Sequence, residues 1–283
     1  MKTNKLFARI FGIFCVVFIL GVCAHKAHAL RPYPNYDVNP DTMRKRIEKG
    51  FILTSDKYNL RYWAIPPQGK KNKHITLVFA HSDEGNISWN INTAMALAKD
   101  GYNVLMFDYR GFGQSTTFKI QPNLLYYNEF ATDLVAAVGF AKTHFQGNKT
   151  GIWAFGMGTI LTTLSYKETK PDFIVGDSYC LSPEDMAKNL SDAKTRYFVP
   201  TATKNYTKEV YGLNVPTLMI NGDKDNITPL NPVLSLRKKN KNVMVYRHVG
   251  GFQEAFGIMS GVTAGSEYVN TINTFLKHYK IIN

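Results

Sequence analysis

ITLVFAHSDEGNISWNINTAMALAKDGYNVLMFDYRGFGQS, residues 75–115, is the stretch from which the rest of the chain can be read. It opens on the apolar run Ile75–Ala80 and returns to a second run, Val104–Phe107, after Gly101. Between them Ile87, Ile91, Ala94, Met95 and Ala98 fall on one helical face. Short runs that are apolar at nearly every position suit strands buried on both sides of a parallel sheet. The helical pattern between them supplies the crossover that parallel neighbours need.

The theme repeats outward. Ile152–Phe155, Phe173–Val175, Thr217–Ile220 and Val243–Tyr246 are further buried-strand runs. Leu134, Ala137, Val138 and Ala141 share a helical face, as do Tyr268, Ile272, Phe275, Leu276 and Tyr279. Such alternation predicts a doubly wound α/β sheet. Upstream, Phe51–Ser55 and Leu60–Ile65 flank Asp56-Lys57-Tyr58-Asn59 as a hairpin at one sheet edge, and Asn39-Pro40-Asp41 predicts a short helix through Glu48, ended by Gly50. No internal repeat or linker interrupts residues 50–283, which read as one domain behind an extension over 30–49.

Composition agrees with a globular chain. Of 283 residues, 45% are apolar and 19% charged, which excludes wholesale disorder, collagen and coiled coil. The net charge is +13. Its densest basic stretches, Lys70–Lys73 and Arg237–Lys241, fall in expected loops or helix ends and read as solvated turns, without a nucleic-acid-binding pattern beside them. Lys2, Lys5 and Arg9 precede an uncharged run from Ile10 to Ala24, and Ala27-His28-Ala29 follows. A basic start, an apolar core and small residues at the cut describe a secretory signal over residues 1–29. The expectation is cleavage after Ala29 and a periplasmic or secreted product with no stable membrane span; an uncleaved anchor is the alternative. Cys15 and Cys23 would leave with the signal, so Cys180 alone would remain and no internal disulfide could form. The histidines do not pair at i, i+4 and no zinc motif is present, so neither a metal nor a cofactor is expected.

Ligands of such sheets bind where strands end in loops. Four loops carry the chemistry: His81–Asn86, Asp108–Ser115, Ala154-Phe155-Gly156-Met157-Gly158, and Gly222-Asp223-Lys224-Asp225-Asn226-Ile227-Thr228-Pro229. In this order and spacing they resemble the α/β-hydrolase superfamily, in particular its serine-peptidase and esterase branches with H-G-N-x-G-N and D-Y-R-G-x-G-x-S loops. The resemblance spans about residues 50–283. It implies an α/β-hydrolase fold: a mostly parallel eight-stranded sheet flanked by helices, with a small cap at about 179–214. It also implies that Arg110 and Asp108 hold the second loop in place.

The family's nucleophile sits in a G-x-S-x-G elbow, where small residues let strand and helix approach. Ala154 and Gly158 meet that requirement, but Gly156 stands at the serine position and has no hydroxyl. By resemblance Asp225 is the triad acid. The base should follow a Gly pair after the last strand; Val249-Gly250-Gly251 leads instead to Phe252. Two triad positions are therefore substituted and Asp225 is orphaned, since an acid that orients a histidine has no catalytic use without one. The oxyanion loop departs too, with His81-Ser82 for His-Gly; Ser82, Asp83 and Met157 would supply its backbone donors. His248 lies four residues before Phe252, about 13 Å along an extended strand, too far to stand in as base without a register change. Cys180 is a weak substitute nucleophile.

The expectation is thus a binding or interaction module using the former cleft, with an apolar or acyl small molecule, or a protein, as partner. The alternative is an esterase, thioesterase or peptidase with a non-standard nucleophile drawn from Ser82, Ser178 or Cys180. A scaffold that keeps only the fold is a third reading.

Overall fold

The computed structural model describes residues 29–43, 46–200, 205–259 and 265–283. The expected signal falls on residues outside these, save for Ala29. The strands are β1 (Arg31–Pro32), β2 (Glu48–Leu53), β3 (Asn59–Ile65), β4 (Ile75–Ala80), β5 (Glu84–Gly85), β6 (Asn103–Phe107), β7 (Lys149–Phe155), β8 (Phe173–Asp177), β9 (Thr217–Gly222) and β10 (Val243–His248). The α-helices are α1 (Ile91–Lys99), α2 (Asn128–His144), α3 (Met157–Thr169), α4 (Pro183–Leu190), α5 (Tyr206–Tyr211), α6 (Leu230–Lys239), α7 (Ala255–Ile258) and α8 (Ser266–His278).

Eight strands make one sheet in the order β10-β9-β8-β7-β4-β6-β3-β2. Neighbours from β10 to β6 run parallel, whereas β3 pairs antiparallel with both β6 and β2. Strands β4, β6, β8 and β9 are buried at every position. This is what their unbroken apolar runs require, because successive side chains point to opposite faces. Along β4, Val78 and Ala80 enter one core with Leu134 and Ile160, while Leu77 and Phe79 enter the other with Ile91 and Ile272.

The expected helix through Glu48 is replaced by a single 3-10 turn, Pro40–Met43. Glu48 already belongs to β2, in register with Ala64 of β3. Long-range pairing outweighs the local helix signal here. Gly50, read as a helix stop, is a strand residue whose missing side chain leaves room for the Tyr62 ring; a Cβ there would lie 2.7 Å from Tyr62 Cε1.

Residues 179–214 hold α4 and α5 above the sheet. Ser182 caps α4 by accepting the Asp185 N–H at 3.1 Å. The Tyr206 hydroxyl pins α5 by donating to the Cys180 carbonyl at 2.9 Å. At the other end of the chain, β1 lies parallel to β5, with Arg31 opposite Glu84 and Pro32 opposite Gly85. The N-terminal strand therefore borders the loop that carries Ser82 and Asp83. No helix among the described residues is long and apolar enough to cross a membrane.

Candidate active site

At the end of β7, Gly156 has φ 47° and ψ −110°, and α3 begins at the next residue. A positive φ of this kind is readily adopted by glycine and disfavoured for side-chain-bearing residues. Gly158, two residues on, is packed so closely that a Cβ would lie 2.0 Å from the Ala80 carbonyl oxygen. The elbow's backbone is thus fully formed, as the small residues at 154 and 158 imply.

The space where a nucleophile would stand is filled. A Cβ built on Gly156 would lie 2.4 Å from Gln253 Nε2, 2.6 Å from Ser82 Oγ and 2.9 Å from Phe252 Cζ. The two polar groups bond to each other. Gln253 Nε2 donates to Ser82 Oγ at 2.6 Å, and the Ser82 hydroxyl donates to Asp83 Oδ1. The Gln253 backbone N–H donates to Ser178 Oγ at 2.8 Å, which fixes the loop that delivers the amide. Burial pushes the Asp83 carboxyl up to about 6, against the lowering effect of its hydrogen bonds from Ser82 and Gln253. Phe252 is half-buried against the core on this side. Gln253 is the residue that sequence reasoning missed; its only signal was a polar side chain one position beyond Phe252.

Asp225 is buried and used locally. Its Oδ1 accepts the N–H groups of Ile227 and Thr228, each at 2.8 Å, and its Oδ2 accepts the Thr228 hydroxyl at 2.6 Å. The acid folds its own loop. His248 closes β10 beside that loop, and neither ring nitrogen has a hydrogen-bond partner among the described residues. Burial lowers its pKa, while the charges of Asp225, Asp223 and Glu254 pull the other way. His248 and Asp225 therefore make no hydrogen-bonded base–acid pair. His81 is turned inward, with Nδ1 at 2.8 Å from the Ser82 carbonyl oxygen, and burial lowers its pKa to about 4. It stays neutral and does not activate the adjacent Ser82 hydroxyl.

Cys180 is buried, its N–H held by Thr159 Oγ1 at 3.0 Å. Burial pushes its thiol well above the ordinary range, which removes the thiolate that a nucleophile needs. A cavity of about 60 Å³ beside Cys180, between α4 and the Asp225 loop, has room for little more than ordered water. Met157 is the first residue of α3, where backbone N–H groups lack intrahelical partners. Ser82 Oγ and the Gln253 amide stand beside this helix start, over the elbow. No group of three or more His, Cys, Asp or Glu suited to a metal ion occurs among the described residues.

Beneath the elbow lies Asp177, which the sequence did not single out. It is buried, with Oδ2 unpartnered, and its carbonyl accepts the Gly156 N–H at 3.0 Å. Burial, reinforced by the charge of Asp225, pushes its carboxyl up to about 8. The second loop is held as the resemblance implied. Arg110 pairs with Asp133 at 2.7 Å and Asp56 at 2.6 Å, while Asp108 accepts the Ile87 N–H at 2.8 Å and the Tyr36 hydroxyl.

The sheet order, the elbow and the cap define a protein of the α/β-hydrolase fold. A family model described as serine aminopeptidase, S33, matches residues 71–177, which include the elbow but neither Asp225 nor Phe252. The uncharacterized protein YfhR of Escherichia coli K12 is 25% identical over 275 residues, covering 91% of this chain and 93% of the relative. The lysophosphatidylserine lipase ABHD12 of Mus musculus is 25% identical over 125 residues, 42% of this chain and 30% of that protein. Among solved structures, the Pyrococcus furiosus esterase Pf2001 superposes with a TM-score of 0.70 at 19% identity, covering 89% of this chain and 97% of that one. XC6422 from Xanthomonas campestris, an α/β serine hydrolase without a lid, gives 0.58 at 12% identity over 83% and 95%. The chain therefore has the α/β-hydrolase fold, and its residues 71–177 match the serine aminopeptidase family model.

Proposed function

We propose that this is an exported α/β-hydrolase-fold protein that binds through its former active-site face rather than hydrolysing by a serine triad. One observation carries the reading: the place of the nucleophile is taken by the hydrogen-bonded Gln253 amide and Ser82 hydroxyl over a glycine elbow. The acid, spent on its own loop, and a solitary buried His248 agree with it. Phe252 in place of a polar base gives this face an apolar element, which favours an acyl or aromatic ligand or the apolar side chain of a protein partner.

A second reading has one specific observation behind it. Ser82 Oγ stands 2.6 Å from the site of the absent Cβ and donates to Asp83, so it is the hydroxyl nearest the lost nucleophile. Turnover of short-chain and long-chain nitrophenyl esters and thioesters separates the two. Binding without hydrolysis predicts that the wild type, Ser82→Ala and Cys180→Ala share one background rate. Activity that Ser82→Ala or Cys180→Ala abolishes would establish a rearranged hydrolase instead.

A further inference from the structure

Ala29 ends the small-residue motif that a signal peptidase would cut, yet it is 0% exposed and packed in the core. Its N–H donates to the Pro122 carbonyl at 3.1 Å, and the Leu30 N–H donates to the same oxygen at 3.2 Å. A residue destined to leave with a signal has no reason to be built into the fold. Cleavage after Ala29 would remove a core methyl and one of these bonds, and would place a new ammonium on the buried Leu30.

The surface around this point is unusual for the molecule. Seven large apolar side chains are exposed among the described residues, and three belong to segments bonded to the chain here. Tyr33, 44% exposed, follows β1 and donates its N–H to the Gly85 carbonyl at 3.0 Å. Its ring lies 5.5 Å from that of Trp89, itself 43% exposed. Phe198, 56% exposed, is tied to the segment containing Pro122: its N–H donates to the Asn123 carbonyl and its own carbonyl accepts the Leu125 N–H. Lys119, Lys194 and Arg196 are exposed on the same segments, beside two exposed acids, Asp37 and Asp192; Arg31 is paired with Glu84. Exposed aromatics interleaved with basic residues suit the headgroup level of a bilayer.

The sequence ahead of Ala29 supplies a reason for such a surface. The uncharged run Ile10–Ala24 has fifteen residues, between Arg9 and Lys26. This is short of the roughly twenty that a spanning helix uses. An apolar anchor that is weak alone gives stable attachment when a second contact, such as a basic patch, adds to it. We infer that residues 1–29 are retained, and that the face of Tyr33, Trp89 and Phe198 rests against a phospholipid bilayer carrying anionic headgroups. The combined attachment would keep the loop of Ser82 and Asp83, which β1 borders, close to the lipid surface.

The three tryptophans make this testable, because Trp63 and Trp153 are fully buried and Trp89 alone is exposed. The full chain is produced in an exporting bacterial host, and the membrane fraction is washed and analysed by intact mass. The expected product keeps residues 1–29 and stays with the membrane; a soluble chain beginning at Leu30 would overturn the inference. The membrane-extracted full chain is then reconstituted into vesicles of phosphatidylethanolamine and brominated phosphatidylglycerol. Bromine should quench part of the tryptophan emission, and Trp89→Phe should abolish that quenched part. Retention of residues 1–29 without quenching, or quenching unchanged by Trp89→Phe, would refute the lipid-facing surface. Neither outcome bears on ester turnover, so this inference and the reading of the site fail separately.

Discussion

Gly156→Ser returns the family's nucleophile to its elbow, and the structure says what that does to stability. The backbone at φ 47° lies in the left-handed region, where a side-chain-bearing residue costs about 1–2 kcal/mol. The new Cβ would fall 2.4 Å from Gln253 Nε2 and 2.6 Å from Ser82 Oγ. Both are ends of side chains that can swing aside, so the steric conflict becomes a broken Gln253–Ser82 hydrogen bond, worth about 0.5–1.5 kcal/mol. The sum is about 1.5–3.5 kcal/mol. In a Gln253→Ala background that bond is already gone, and only the backbone cost of about 1–2 kcal/mol should remain. Urea unfolding of the four proteins in this double-mutant cycle measures the difference through their midpoints and slopes. A coupling of about 1 kcal/mol is expected. A serine that costs nothing, or costs the same in both backgrounds, would refute the filled-elbow geometry.

The buried groups around the elbow have measurable consequences of their own. Asp177 titrates near 8 in the fold and near 4 when unfolded, so between those values the folded state holds the extra proton and stability falls as pH rises. Asp177→Asn removes this contribution, and its advantage over wild type in urea unfolding should grow from pH 5 to pH 8, by at most about 1.4 kcal/mol per pH unit. Asp225→Asn withdraws a charge that favours protonated His248, so the imidazole, already lowered by burial, should titrate lower still by NMR. An unchanged His248 would mean that the two do not communicate. Native Cys180 should ignore thiol reagents until denaturant is added, because its thiol is buried and protonated. Gly156→Ser combined with Gln253→His should gain more ester turnover than with Phe252→His, because position 253 delivers the polar group to the elbow; the reverse order would assign the base position to 252.

Much of this fold is written locally. The apolar runs of β4 and β6–β9 announce strands buried on both faces, whereas the Val243–Tyr246 run belongs to β10, a sheet edge that is only half-buried. The Asp108–Ser115 loop is fixed by contacts that its own residue types demand: a buried guanidinium needs carboxylates, and Arg110 finds two. The elbow is legible for the same reason, since Ala154 and Gly158 serve a close backbone approach. Features that depend on distant segments were not. Glu48 looked like a helix end until the register with Ala64 claimed it for β2. The Gln253 amide meets Ser82 across 171 positions of chain, and no local pattern encodes that meeting. Asp177 looked like an ordinary strand end, and its raised pKa comes from burial by the whole sheet. Nor could periodicity reveal that Ala29 is a core residue, because its partner Pro122 lies in a loop.

The central claim is that no hydroxyl or sulfur in this protein is activated for attack at the elbow. Intact-mass analysis after exposure of the folded protein to a fluorophosphonate probe tests it directly. The account predicts no mass addition; a stoichiometric adduct mapping to Ser82, Ser178 or Cys180 would contradict it.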